Sequence, residues 1–168
     1  GSRRVVAVYA DGARVLWGLY FDGDTWAVTQ LTLNPGGPLT VSTLETVVAG
    51  RAFDLAFASA TGVGYVVDGP LNFGAGGVQQ MCTVSLAGVW AAGTSTPDME
   101  NAALTDTNWI YLAADPAAGS NNIALARVDQ GNDLSLSVWS GAAWVNTAQD
   151  SAVATNIEVS TFQAVALA

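Results

Sequence analysis

The chain has 168 residues, 51% of them hydrophobic and only 11% charged, which suits one domain with a substantial core and excludes a disordered chain. Five arginines, no lysine and fourteen acids give a net charge of −9, which opposes binding to nucleic acid and anionic lipid and keeps an apolar protein soluble. Histidine is absent, so Ser-His-Asp and Cys-His catalysis within the chain are excluded and the commonest zinc ligand is missing.

No stretch reaches the roughly 18 consecutive apolar residues of a membrane helix. The best approach to one, residues 52–67, is broken by Asp54, Ser59, Thr61 and two glycines, so membrane insertion is not expected. The opening Gly1-Ser2-Arg3-Arg4 does not read as a secretory leader. Gly1-Ser2 has the composition of a cloning scar, which would put any leader or neighbouring domain outside this sequence. The one cysteine, Cys82, lies in the apolar run Met81-Cys82-Thr83-Val84 and is expected as a small buried hydrophobe.

In chain order, the segments 5–9, 15–20, 26–28, 53–57, 63–67, 81–86, 109–112, 123–128 and 134–139 read as strands. Each is short, rich in Val, Leu, Ile and aromatics, and bounded by Gly, Asp, Asn, Pro or Ser. Leu134-Ser135-Leu136-Ser137-Val138 alternates apolar and polar residues, as a strand with one buried face does. Only Thr96-Pro97-Asp98-Met99-Glu100 carries a helix start signal, good for one or two turns.

The strands repeat in groups. An aromatic residue opens a first strand at Phe53, Trp109 and Phe162, spaced by 56 and 53 residues. A third strand then runs into a glycine turn followed by tryptophan, at Gly88-Val89-Trp90 and Gly141-Ala142-Ala143-Trp144, with 54 residues between the tryptophans. Gly23-Asp24-Thr25-Trp26 repeats that turn near the start. The first strand missing before Val5 is supplied by Thr161 to Ala168. The chain therefore reads as one all-β domain of three units, about 5–50, 51–107 and 108–168, each of four strands and permuted by one strand. Four strands at this period match a β-propeller blade, and two copies of the chain would form a six-bladed homodimer. A β-sandwich or barrel is the alternative architecture.

Tyr9-Ala10-Asp11-Gly12, then Trp17, then Asp22-Gly23-Asp24-Thr25-Trp26 resembles the blades of the six-bladed fucose-binding lectins. That family repeats a strand ending in Tyr, a short turn, and a strand running into Trp-Asp-Gly-x-x-Trp. The resemblance covers about 25 residues of the first unit and about 20 of the third. It implies sugar binding by an arginine on the second strand and a glutamate on the third. Here the strands at 5–9 and 15–20 hold neither, and Arg127 is followed by an acid-free strand at 134–139. Gly23-Asp24-Thr25-Trp26 also resembles the end of the Asp-box turn of sialidases, with Phe21 where that motif has aspartate.

Trp17, Trp26, Trp90, Trp139 and Trp144 are the candidate ligand-binding residues, because exposed indoles stack on sugar faces, although the same residues also serve simply as packing. Asp129, Asn132 and Asp133 cluster oxygen ligands around Gly131 and form the candidate metal site, for calcium; the same residues make good turns. No other cofactor is expected. The expected function is a non-enzymatic recognition or adhesion module, extracellular or at the cell surface, with glycans as partners. The alternatives are a structural repeat segment of a larger surface protein and a glycosidase-like propeller fragment. The latter requires two carboxylates roughly 5–10 Å apart, drawn from Asp54, Asp68, Asp115 and Glu158.

Overall fold

The computed structural model describes residues 3–32, 37–40, 53–68, 80–95, 107–129 and 134–150. Eleven strands run through them: β1 (Val5–Ala10), β2 (Leu16–Phe21), β3 (Trp26–Gln30), β4 (Phe53–Phe57), β5 (Gly64–Asp68), β6 (Gln80–Val84), β7 (Trp90–Ser95), β8 (Thr107–Ala114), β9 (Ile123–Asp129), β10 (Leu134–Trp139) and β11 (Trp144–Asp150). They form three antiparallel meanders in sequence order, β1-β2-β3, β4-β5-β6-β7 and β8-β9-β10-β11. Among the described residues there is no helix. The protein is thus all-β and built of blade-like sheets, the expected fold class. The helix expected at 96–100 and the strand expected at 161–168 lie outside the described residues.

The tight hairpins follow from turn chemistry. Asp22 accepts the amides of Asp24 (2.8 Å) and Thr25 (2.9 Å) on one carboxylate oxygen, and its own amide reaches the Thr25 carbonyl. Ser140 closes the equivalent turn through its amide to the Ala143 carbonyl at 2.9 Å. Gly23 and Gly141 take the positive φ that such turns need, 118° and 91°.

Register makes the sheets comparable. Phe21 faces Trp26, Val84 faces Trp90, and Trp139 faces Trp144. On the other side of the same strands, Val5 faces Phe21, Gly64 faces Val84, and Ile123 faces Trp139. So β1, β2 and β3 match the second, third and fourth strands of the other two sheets, and the described part of the first sheet has no counterpart of their first strand.

The sheets stack face to face. Leu16, Leu31 and Leu39 meet Val66 and Cys82 between the first and second sheets. Tyr65, Val67 and Met81 meet Ile110, Leu112, Ile123 and Leu125 between the second and third. Strand β5 is buried on both faces, with Val66 turned to one neighbour and Tyr65 and Val67 to the other. Each fully buried Val, Leu or Ile here stabilises the stack by roughly 1.5–3 kcal/mol. Cys82 is buried, as its setting predicts, and its thiol donates to the Thr32 carbonyl at 3.6 Å.

Candidate functional site: an aromatic end between two sheets

The turn from third to fourth strand brings the candidate tryptophans to one end of the sheets. Trp26, Trp90 and Trp144 occupy the same repeat position, and Trp139 faces Trp144 across its hairpin. Trp90 lies between the first two sheets, directly over Gly18. Trp139 and Trp144 lie between the second and third sheets. Their ring centroids are 5.6 Å apart, and Tyr65 of the second sheet stands 6.0 Å from Trp139. Trp26 stays exposed and pairs with Phe21 at 5.1 Å. Trp17 is at the opposite end of β2, where its indole donates to an Asp11 carboxylate oxygen at 2.8 Å. The structure therefore brings Trp139 and Trp144 together and leaves Trp17, Trp26 and Trp90 elsewhere.

The indole nitrogens of Trp90, Trp139 and Trp144 and the side-chain oxygen of Asn121 are buried without a hydrogen bond. Leaving such a group unpaired costs about 1–3 kcal/mol, so each calls for a physical reason. Asn121, in the loop between β8 and β9, packs under Gly141, in the turn between Trp139 and Trp144. Two N–H donors on rings packed beside Tyr65, with a carbonyl acceptor under the neighbouring turn, match the chemistry of a sugar, which offers hydroxyls at its edge and C–H groups on its face. Sequence reading found the tryptophans but missed Tyr65 and Asn121, which carry no local signature.

A polar row runs along the same inter-sheet face. Arg127 of β9 is buried, and so are Ser135 and Ser137 of β10, with Ser135 directly opposite Arg127. Along the alternation of 134–138 the serines turn towards the second sheet, and Leu134, Leu136 and Val138 stand partly buried on the far face. Counting four residues from the aligned strand starts, Tyr9, Asp68 and Arg127 share one repeat position. Three such different side chains at one position mean that the three sheets do not carry identical sites.

The carboxylates divide by role. Asp54 is buried; it faces the third sheet and accepts the Leu112 amide at 2.7 Å with one oxygen and the Leu55 amide at 2.8 Å with the other. The Leu112 bond crosses from the second sheet to the third. Asp68 is buried on the opposite face of the same sheet, so these two cannot meet across a cleft. Glu158 lies outside the described residues. So do Asn132 and Asp133 of the candidate calcium turn, and of Asp129 only the strand position is described. Among the described residues no group of three or more His, Cys, Asp or Glu converges as metal ligands would.

Asp11, Asp22 and Asp115 hold their own turns, and all three carboxyls are pulled below the usual aspartate value of 3.8. For Asp11 the main cause is the Trp17 indole, followed by the Val15 amide. For Asp22 it is the Thr25 amide, followed by that of Asp24. For Asp115 it is the Ala117 amide, followed by the Ser120 hydroxyl. A pKa depressed in the folded state adds stability that is complete above the unfolded value and vanishes as pH drops through the folded one. With no histidine in the chain, the unfolding midpoint should be flat from about pH 5 to 8 and fall below about pH 4. Thermal unfolding followed across this range checks it; a midpoint that already drops between pH 8 and 6 would contradict the assignment.

No family model matches the chain, and no curated protein does. Among solved structures, it is similar to the SapL1 lectin in complex with α-methyl fucoside, at 15% sequence identity and a TM-score of 0.56. The likeness shows the fold. It covers 95% of this chain and 46% of the lectin, so the chain spans about half the length of that protein.

Proposed function

We propose that this protein is a non-enzymatic glycan-recognition module that works in adhesion outside the cell or at its surface. Its binding site is the aromatic end between the second and third sheets. The observation that carries this reading is the packing of the Trp139 and Trp144 rings beside Tyr65 with both indole donors unpartnered, and Asn121, whose side-chain oxygen is also unpartnered, under the turn between them. The fold shared with a lectin solved with a fucoside supports it and makes methyl α-fucoside the first ligand to try. Strand β10 contains no acid, whereas the resembling family binds its sugar with a glutamate on the third strand, so other sugars belong in the same test.

The test is a glycan array probed with the intact protein, with and without calcium, next to Trp144→Phe. The substitution keeps an aromatic face and deletes one donor, so it should weaken binding about tenfold. Blank arrays under both conditions would end this reading. The second reading, a structural repeat segment, is favoured by one observation: Tyr9, Asp68 and Arg127 differ at a shared position. It would then stand alone.

A further inference from the structure

In the second and third sheets, the loop between the first and second strands packs under the turn between the third and fourth. In the second sheet the contact is apolar. Gly62, in the loop of residues 58–63, lies against the Leu86 side chain of the β6–β7 turn. In the third sheet the glycine and the side chain change places. Gly141 belongs to the β10–β11 turn, and Asn121, in the loop of residues 115–122, lies against it. The turn between Trp139 and Trp144 therefore rests on the loop beneath it.

That loop is held in turn by the neighbouring sheet. The Ser59 hydroxyl, in the loop of residues 58–63, donates to the Ala117 carbonyl at 2.7 Å, with the Ser120 carbonyl 3.1 Å away, and accepts the Ser120 amide at 3.1 Å. The Ala60 amide donates to the Ser120 carbonyl at 2.9 Å. Within the third sheet, Asp115 accepts the Ala117 amide at 2.9 Å and the Ser120 hydroxyl at 2.8 Å. Ser120 is thus fixed from both sheets, and Asn121 is the next residue along the chain. A hydroxyl in a tight turn ordinarily serves that turn, as Ser85 does by accepting the amides of Ala87 and Val89. Ser59 is exposed, yet its hydroxyl serves the loop of another sheet.

We propose that Ser59 is a positioning residue for the aromatic end: through Ser120 and Asn121 it sets the turn between Trp139 and Trp144, and so raises the affinity of that end for sugar. This role rests on the sugar reading of the aromatic end, whereas the link from Ser59 to the tryptophans does not. A loop held in its bound position before the ligand arrives lowers the ordering cost of binding. Loss of one such hydroxyl corresponds to a roughly threefold to tenfold change in affinity.

The test compares the parent with Ser59→Ala, Ser59→Thr and Ser85→Ala through their indole N–H resonances. Spectra are taken first without ligand, then in titration with methyl α-fucoside and with any glycan captured on the array. Ser59→Ala should displace the Trp139 and Trp144 resonances before sugar is added and leave that of Trp17, held by Asp11, in place. It should also weaken binding roughly threefold to tenfold. Ser59→Thr keeps the hydroxyl at an exposed position and should restore both the resonances and the affinity. Ser85→Ala removes a hydroxyl that serves its own turn and should leave Trp139 and Trp144 unmoved. Resonances that stay in place in Ser59→Ala, or move no further than in Ser85→Ala, would overturn the proposal. So would unchanged affinity for a bound glycan, or no rescue by threonine. A parent that binds no sugar, with Trp139 and Trp144 still displaced in Ser59→Ala, would end the sugar reading and uphold the link from Ser59 to the tryptophans.

Discussion

Replacing Asp54 by alanine is expected to cost about 3 kcal/mol of folding stability, because it strips a buried amide of its partner across two sheets. The Asp54 carboxylate ties β4 to β8 by accepting the Leu112 amide at 2.7 Å, and it also holds the Leu55 amide. Both amides would lose a charged acceptor in a place that water does not readily reach. Asp54→Asn keeps one acceptor oxygen and should lose about half as much. Urea unfolding of the two variants beside the parent gives the measurement. Equal, small losses in both would mean that the inter-sheet bond contributes little and that apolar packing alone joins the second and third sheets.

The second large effect is expected at Gly88. Its φ is +77°, and a Cβ there would run into the Tyr20 ring. That ring is fixed by a hydroxyl bond to the Leu86 carbonyl at 2.7 Å, which also accepts the Arg4 guanidinium at 2.7 Å. Gly88→Ala therefore combines backbone strain of about 1 kcal/mol with overpacking of about 2 kcal/mol and loosens the joint between the first and second sheets. Two other glycines separate these causes. Gly119 has φ +81° with open space around it, and Gly12 has neither a positive φ nor a neighbour within 4 Å. Thermal unfolding should rank the alanine variants as Gly88 well below Gly119, and Gly119 below Gly12, with Gly12 near the parent. A Gly88→Ala loss no larger than that of Gly119→Ala would show that Tyr20 moves aside freely.

What could be read from the sequence was what local physics determines. Short β-branched and aromatic runs between turn residues marked nine strands. The spacing of glycine–tryptophan turns showed how they group, because Gly23 and Gly141 are required by hairpin geometry rather than by the surroundings. Strands β7 and β11 left only weak local signals. Trp90-Ala91-Ala92-Gly93-Thr94-Ser95 and Trp144 to Asp150 have modest strand propensity, and pairing with β6 and β10 is what makes them strands. The direction of β10 is not legible in the sequence for a related reason. Period-two alternation reveals that two faces differ, but not which one meets the chain's own core. Here Ser135 stands opposite the buried Arg127 on the face towards the second sheet, and the leucines turn away. The candidate site was half legible. Tryptophans stood out by composition, whereas the pairing of Trp139 and Trp144 with Tyr65 and Asn121 depends on two sheets meeting, which no local pattern encodes.

Binding of sugar by the indole donors between the second and third sheets can be followed through the indole N–H resonances of isotope-labelled protein during titration with methyl α-fucoside and with any glycan captured on the array. The resonances of Trp139 and Trp144, whose nitrogens have no partner among the described residues, are predicted to move with a common saturating dependence on ligand. That of Trp17, already held by Asp11 at 2.8 Å, is predicted to stay in place. Binding that shifts Trp17 while leaving Trp139 and Trp144 unmoved would contradict the site, and no shift with any sugar would contradict the function.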